Sequence, residues 1–156
     1  MKKKIAILGS TGSIGKTTIN ILKKNKKNFN IILLTTNNNY QELLKQVKEF
    51  KVQNLVINNK KHYLNLKKKL KNKKINIYNN FETFNKNFNQ TVDYTMCAIS
   101  GLAGLKPTLD SIKFSKKIAI ANKESLICAW NLIEKKLKKN KNKFIPIDSE
   151  HFSIWS

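Results

Sequence analysis

The chain has few of the residues that mark secreted or membrane-spanning proteins. Its 156 residues include only two cysteines, Cys97 and Cys128, and neither belongs to a CxxC motif, which argues against a disulfide framework. Both lie among apolar residues, a setting that predicts buried, reduced thiols. No apolar run approaches the roughly 20 residues of a membrane span, and no signal or transit peptide precedes the first apolar segment. These absences predict a cytoplasmic protein with no membrane partner.

Acidic residues are scarce as well, and the chain is strongly basic. The 9 Asp and Glu residues against 31 Lys and Arg give a net charge of +22. A basic chain suggests a nucleic-acid partner, but here lysine occurs in almost every segment together with asparagine and isoleucine, as expected when AT-rich codons drift into tolerant surface positions. We interpret the charge mainly as compositional bias, and a basic nucleic-acid-binding module stays open as an alternative.

A glycine turn near the start of the chain is the most informative stretch. The apolar run Ile5–Leu8 is typical of a strand buried on both faces of a parallel sheet, glycines follow at positions 9, 12 and 15, and helical periodicity resumes from Lys16. The P-loop and the G-x-G-x-x-G fingerprint would both need a glycine at position 10, which is Ser10. The observed G-x-x-G-x-x-G is a relative of that fingerprint, so a phosphate-binding strand–turn–helix is favoured over a turn without a ligand.

Alternating apolar strands and amphipathic helical segments follow along the whole chain. They predict one α/β domain with a Rossmann-like, doubly wound, mostly parallel sheet. The segment 79–90 has the least regular pattern, and His62 is expected to be a solvated surface residue. After the glycine turn, strands are expected at 30–35, 52–57, 75–78, 93–99, 117–121 and 144–147.

The end of the second expected strand bears on which dinucleotide the domain would bind. An NAD enzyme places Asp or Glu there to hold the ribose hydroxyls. This chain has Asn37-Asn38-Asn39, without an acid that would repel a 2′-phosphate. NADP is therefore favoured over NAD.

Two carboxylates follow the last expected strand. Asp148 and Glu150 are two residues apart, so their side chains leave an extended backbone on the same face. Oxygen ligands of this kind select a hard divalent ion, Mg²⁺ or Mn²⁺. The residues alone leave a second interpretation open, in which Asp148 and Ser149 cap a solvated helix N-terminus.

Four blocks of sequence, taken together, resemble the 1-deoxy-D-xylulose 5-phosphate reductoisomerase family. The resemblance covers the whole chain in order. It implies an oxidoreductase that uses NADPH and a divalent metal to convert this sugar phosphate to 2-C-methyl-D-erythritol 4-phosphate in non-mevalonate isoprenoid biosynthesis. The blocks are Gly9-Ser10-Thr11-Gly12-Ser13-Ile14-Gly15, Ser100-Gly101-Leu102-Ala103-Gly104-Leu105-Lys106-Pro107-Thr108, Ala121-Asn122-Lys123-Glu124-Ser125-Leu126 and Pro146-Ile147-Asp148-Ser149-Glu150-His151.

The resemblance also implies roles for individual residues. Asp148 and Glu150 would bind the metal, and Lys123 and Glu150 would be catalytic. Substrate would be bound by Lys123, Ser149 and Glu150. The NADPH pyrophosphate would be held by Thr11, Gly12, Ser13 and Ile14, and other parts of the cofactor would be contacted by Asn37, Asn38, Asn39, Asn122 and Glu124.

The chain departs from the family in two respects. The family commonly has a Gly-Lys-Asn-type loop where this chain has Asn37-Asn38-Asn39, so the lysine partner of a 2′-phosphate is missing. The family chain is also more than twice as long, and its complete enzyme is expected to be a homodimer. We therefore expect residues 1–147 to be an NADPH-binding domain and 148–156 the truncated start of the catalytic, metal-binding region. Such a chain alone should be inactive, and a non-catalytic nucleotide-binding remnant is the second alternative.

Overall fold

The apolar runs form a parallel sheet and the helical segments connect its strands, which is the α/β fold that the sequence predicts. The structure is a computed structural model, and it describes residues 1–147. The strands are β1 (Lys3–Leu8), β2 (Phe29–Thr36), β3 (Asn54–Ile57), β4 (Asn76–Tyr78), β5 (Val92–Cys97), β6 (Ser115–Ile120) and β7 (Lys143–Pro146). The helices are α1 (Ser13–Lys24), α2 (Tyr40–Glu49), α3 (Lys60–Lys69), α4 (Phe81–Asn87), α5 (Leu105–Ser111) and α6 (Lys123–Asn140).

The order of the strands creates a crevice at the middle of the sheet. The order is β4-β3-β2-β1-β5-β6-β7, and every neighbouring pair is parallel. The chain builds outward from β1 to β4 and then crosses back to place β5 on the other side of β1. Because successive connections leave β1 and β5 in opposite directions, a crevice opens at the carboxyl ends of these two strands, where open α/β sheets bind ligands.

Helices cover both faces of the sheet, which explains why β1 is an unbroken apolar run. Ile5 and Ile7 belong to a buried cluster that includes residues of α1, α2 and α3. Ala6 and Leu8 point the other way, into a second cluster with residues of α4, α5 and α6. Since successive side chains of a strand face opposite sides, both sets must be apolar when both sides are covered. The doubly wound Rossmann-like fold is thereby confirmed.

The abundant asparagines have a structural use at helix starts. The Oδ1 atoms of four asparagines accept a hydrogen bond from the backbone N–H three residues later, at distances from 2.8 to 3.1 Å. A cap of this kind stabilises a helix by about 1 kcal/mol relative to alanine. The capping residues are Asn39 for α2, Asn59 for α3, Asn80 for α4 and Asn122 for α6.

The segment 79–90, which the sequence pattern left irregular, contains helix α4. Asn80 caps it, and Phe84 is completely buried. The Phe84 ring lies 4.8 Å from the ring centroid of Phe88 and 6.1 Å from that of Phe114. A helix this short is not stable by its own propensity, so packing of its aromatic side chains against the sheet decides its conformation.

Two expectations for single side chains are wrong. His62 is half-buried rather than solvated, because its ring stacks on Tyr40 at a centroid distance of 4.6 Å. Cys97 is buried as expected, but Cys128 is exposed. Helix α6 turns Leu126 inward and leaves Ile127 and Cys128 outside, so apolar neighbours in sequence do not imply burial. Within residues 1–147, none of the helices has the length and hydropathy needed to cross a membrane.

The two thiols should therefore differ sharply in reactivity. Burial raises the pKa of the Cys97 thiol to about 11, which keeps it protonated and inaccessible. With a disulfide reagent at about pH 8, we expect only Cys128 to react in the native protein. The thiolate is the nucleophile, and Cys97 is both protonated and shielded from the reagent. Both cysteines should react in denaturant, and Cys128→Ser should abolish the native reaction. Fast reaction of both native thiols would contradict the placement of Cys97.

Candidate nucleotide-binding site

Two glycines of the turn after β1 are required by the fold itself. Gly9 has a φ of +79°, and a Cβ added there would lie 2.8 Å from the carbonyl carbon of Ala98. A Cβ on Gly15 would lie 2.6 Å from the Cα of Ser10. Real Cβ atoms do not approach backbone this closely, so the turn packs against the end of β5 and α1 packs against the turn only without these side chains.

Gly12 is different, because nothing in the protein prevents a side chain there. Its φ of −78° and ψ of 177° suit any residue. An added Cβ would meet only the Gly9 carbonyl oxygen, at the ordinary contact distance of 3.7 Å. The residue is exposed and lines a cleft. A glycine at a position where the fold would accept a side chain is expected where a ligand approaches the main chain.

Gly12 also leaves α1 without a side-chain cap. The helix begins at Ser13, and Lys16 N–H makes its bond to the Gly12 carbonyl, at 2.9 Å. The N–H groups of the three residues before Lys16 have no acceptor within the helix. Whereas α2, α3, α4 and α6 satisfy such donors with an asparagine, α1 presents its donors and the positive end of its dipole to the cleft.

Residues that the sequence did not single out hold the turn in place. Gly9 N–H donates to Thr35 Oγ1 at 2.9 Å, and Ser10 N–H donates to the Thr35 carbonyl at 2.9 Å. From α2, Gln46 Nε2 donates to the Ser10 carbonyl, also at 2.9 Å. A threonine at the end of an apolar strand is a weak signal for such a role. No local signal distinguishes Gln46, because only the packing of α2 brings it to the turn.

The cleft lies at the switch point between β1 and β5 and has a volume of about 450 Å³. Its walls are the glycine turn, the end of β2 and the turn between β5 and α5. Among the described residues that line it, none carries a carboxylate, an amine or an imidazole. The lining residues are Gly9, Thr11, Gly12, Thr35, Thr36, Asn37, Asn38, Asn39, Val56, Asn58, Phe81, Ala98, Ile99, Ser100, Ala103 and Pro107.

The structure brings several of the sequence-predicted cofactor residues together. Thr11, Gly12 and the asparagines 37–39 all line the cleft, and the Thr11 hydroxyl bonds the Thr36 hydroxyl at 2.6 Å, which joins the glycine turn to the end of β2. Ser13 and Ile14 are exposed in the first turn of α1, next to the cleft.

The predicted residues at the start of α6 follow the carboxyl end of β6. Lys123 is exposed, Glu124 is half-buried, and the Asn122 side chain is buried. None of the three is among the residues that line the cleft. Their roles toward cofactor and substrate stay predictions.

The predicted metal site cannot be placed against this cleft. Asp148, Ser149 and Glu150 lie outside the described residues. Across residues 1–147, the side chains of His, Cys, Asp and Glu form no group of three or more that could hold a metal ion. The metal therefore stays a prediction from the sequence.

The fold, the crevice at the switch point and the uncapped helix behind a glycine turn define a Rossmann-type dinucleotide-binding domain. The chain belongs to the 1-deoxy-D-xylulose 5-phosphate reductoisomerase family, whose family model matches residues 5–130. It is 60% identical over 156 residues to the reductoisomerase of Pelagibacter ubique, covering 99% of this chain and 40% of the relative. It is 44% identical to that of Buchnera aphidicola, covering 98% and 39%. The chain thus spans about 40% of the length of these relatives.

Solved structures give the same result. The reductoisomerase of Zymomonas mobilis in complex with NADPH superposes with a TM-score of 0.89 at 33% identity, over 97% of this chain and 40% of that one. A reductoisomerase in complex with NADPH, fosmidomycin and magnesium superposes with a TM-score of 0.87 at 34% identity, over 96% and 37%. Staphylococcus aureus homoserine dehydrogenase, at 15% identity and a TM-score of 0.54 over 94% of this chain and 32% of that one, shares the fold alone.

The three glycines of the turn should respond differently to alanine. Gly9→Ala and Gly15→Ala force a methyl group into backbone, so each should lower the free energy of unfolding by about 2 kcal/mol or more. Gly12→Ala meets open space and should cost about 1 kcal/mol or less, the difference between glycine and alanine at an N-cap. Urea denaturation followed by circular dichroism measures all three. Equal losses would contradict the distinction drawn between Gly12 and its neighbours.

Proposed function

We propose that residues 1–147 form the NADPH-binding domain of a 1-deoxy-D-xylulose 5-phosphate reductoisomerase and that 148–156 begin its catalytic, metal-binding region. The whole enzyme would make 2-C-methyl-D-erythritol 4-phosphate in non-mevalonate isoprenoid biosynthesis and would be a homodimer. The observation that carries the proposal is Gly12. Its backbone is bare although the fold does not require a glycine, and it lies at the uncapped start of α1 beside the switch-point cleft.

The residues present fit the pyrophosphate of NADPH. The first N–H groups of a helix point out of its N-terminus, and that of α1 lies at Gly12 in the cleft wall, so an anion there would meet donors and the helix dipole. We assign the pyrophosphate to Thr11, Gly12, Ser13 and Ile14, whose hydroxyls and N–H groups are close together in the turn. Asn122 and Glu124, at the start of α6, would contact other parts of the cofactor.

The end of β2 favours NADPH over NADH. Asn37, Asn38 and Asn39 line the cleft with neutral amides, and no carboxylate is among the lining residues. A 2′-phosphate therefore meets hydrogen-bonding groups rather than a like charge. The net charge of +22 adds a general attraction for this anionic cofactor.

Substrate chemistry is assigned to the start of α6 and to the residues after β7. Lys123 is exposed at the N-terminus of α6, and with Ser149 it would bind oxygens of the sugar phosphate. Asp148 and Glu150 would hold Mg²⁺ or Mn²⁺, and Glu150 would also bind the substrate. When bound, the metal supplies a Lewis acid and NADPH supplies the hydride.

A carboxylate at position 12 should separate stability from binding. Gly12→Asp adds an N-cap acceptor and a negative charge at the positive end of α1, so it should leave the free energy of unfolding unchanged or raise it by about 0.5 kcal/mol. The same side chain occupies the pyrophosphate position and repels phosphate. We therefore expect NADPH affinity, measured by the fluorescence of bound NADPH, to fall by about a hundredfold or more, as when a charged group is left facing a like charge.

The matched control is Asn59→Asp, which places the same carboxylate at the N-cap of α3. Asn59 does not itself line the cleft, although its N–H donates to the Asn37 carbonyl at 2.9 Å, so NADPH affinity should fall far less than in Gly12→Asp. Equal NADPH affinity in the wild type and Gly12→Asp would contradict the proposed site. If the wild-type chain does not bind NADPH but binds DNA with a steep salt dependence, the chain is better explained as a basic nucleic-acid-binding module.

Activity can be tested in a chimera that joins this chain to the remaining part of a related reductoisomerase. We expect residues 1–156, joined to the part of the Pelagibacter ubique enzyme that this chain does not match, to oxidise NADPH with the pentulose phosphate and Mn²⁺. The chain alone should show no turnover, because two carboxylates leave most of a hard-ion shell to water. In the chimera, Asp148→Ala or Glu150→Ala should lower activity by more than about a hundredfold, since even outer-shell partners of a metal are worth 10–100-fold.

Glu134→Ala is the control for that loss, because Glu134 pairs with Lys138 on the surface of α6. It should leave turnover unchanged. A folded chimera that binds NADPH but stays inactive would identify the chain as a nucleotide-binding remnant. Robust turnover by the chain alone would show that the metal site has been misplaced.

A further inference from the structure

The side chain of Asn122 uses all of its hydrogen-bonding groups inside the protein. Its Oδ1 accepts from Ser125 N–H at 3.0 Å and so caps α6. Its Nδ2 donates to the carbonyls of Ile99 and Gly101 at 2.5 and 2.6 Å. An amide nitrogen has two N–H donors, and both are taken. Since the residue is only 3% exposed, its side chain has no donor left for a ligand.

The two carbonyls that Asn122 binds belong to a wall of the cleft. Ile99, Ser100 and Ala103 line the cleft from the turn between β5 and α5. Within this turn Gly101 has a φ of +71°, and Gly104 N–H closes back onto the Gly101 carbonyl at 3.2 Å. The shape of this wall therefore depends on a side chain from a different connection, the one between β6 and α6.

Gly104 provides the space for this contact. A Cβ added to Gly104 would collide with Asn122 Nδ2 and would lie 2.6 Å from the Ile99 carbonyl oxygen. The Asn122 amide can therefore occupy this position only because residue 104 is a glycine. Asn59 and Asn80 also cap their helices, but in the part of the chain that the structure describes their amide nitrogens hold no such turn.

We propose that Asn122 is a positioning residue that clamps the β5–α5 turn into the shape that the nucleotide needs. The clamp joins this wall of the cleft to the start of α6, which carries Lys123 and Glu124. It therefore fixes the positions of the cofactor-binding and substrate-binding residues relative to each other. The proposal rests on the proposed NADPH function. It differs from the direct role assigned by resemblance, because the side chain of Asn122 acts on the cofactor through the turn.

The variant Asn122→Ser separates the clamp from the cap. Serine caps a helix about as well as asparagine, but its single O–H on a shorter side chain cannot replace the two N–H donors that hold the Ile99 and Gly101 carbonyls. We expect the NADPH dissociation constant to rise about tenfold or more, which corresponds to 1.4 kcal/mol. In the cofactor-free protein, amide hydrogen exchange of residues 99–104 should become faster while that of α6 stays slow.

Asn59→Ser is the matched control, because it makes the same exchange at the cap of α3 without a clamp. Its NADPH affinity and the exchange of residues 99–104 should stay at wild-type values. Gly104→Ala perturbs the clamp from the other side and should weaken NADPH binding and loosen the same turn. Because Asn122→Ser removes the amide with which the new methyl collides, the double variant should lose less affinity than the sum of the two single losses.

Three results would overturn the clamp. The first is NADPH affinity unchanged in both Asn122→Ser and Gly104→Ala. The second is a loss of affinity in Asn122→Ser without faster exchange of residues 99–104, which would indicate direct contact with the cofactor. The third is strict additivity in the double variant. The exchange measurement needs no cofactor, so a wild type that fails to bind NADPH would overturn the proposed function while exchange still decides the clamp.

Discussion

The nucleotide site depends on two contacts between backbone segments that are so close that only glycine, which has no Cβ, can make them. Gly9 lies against the end of β5, and Gly15 lies against Ser10. These two approaches bring the turn after β1, the start of α1 and the β5–α5 turn to one point, where the strand order reverses. Gly12 lies between them and makes no such approach, so its bare backbone is left for a ligand. Where a glycine has no structural reason, a functional one is the better explanation.

Asparagine connects the fold to the site in two ways. At α2, α3 and α4 it satisfies the first turn of a helix, and the α2 cap, Asn39, also lines the cleft. At α6 it does this and also fixes the opposite wall of the cleft, through both hydrogens of the Asn122 amide. Because α1 has no such cap, its donors remain available. Asparagine thus stabilises the starts of four of the six helices, while α1, whose N-cap Gly12 lines the cleft, is left open for an anion.

Charge contributes little to the internal structure. The ion pairs in residues 1–147 join surface lysines to the few carboxylates, as for Lys116 and Asp93, where the lysine lowers the pKa of the carboxyl. Exposed pairs of this kind are each worth about 1 kcal/mol or less. These ion pairs therefore add little to the stability of the sheet. The excess of lysine creates a positive field that attracts anions such as a dinucleotide, and its self-repulsion costs stability at low salt.

The sequence by itself determined the parallel sheet, the glycine turn and the family, because apolar runs, glycine spacing and short motifs are local patterns. It also pointed to the amides at the end of β2. Only tertiary structure decided that α4 is a helix, that His62 stacks on Tyr40 and that Cys128 is exposed. The same holds for the bond from Gln46 to the Ser10 carbonyl and for those from Asn122 to the Ile99 and Gly101 carbonyls, which span 36, 23 and 21 residues. Contacts at such separations depend on how helices pack on the sheet, and no local pattern encodes that packing.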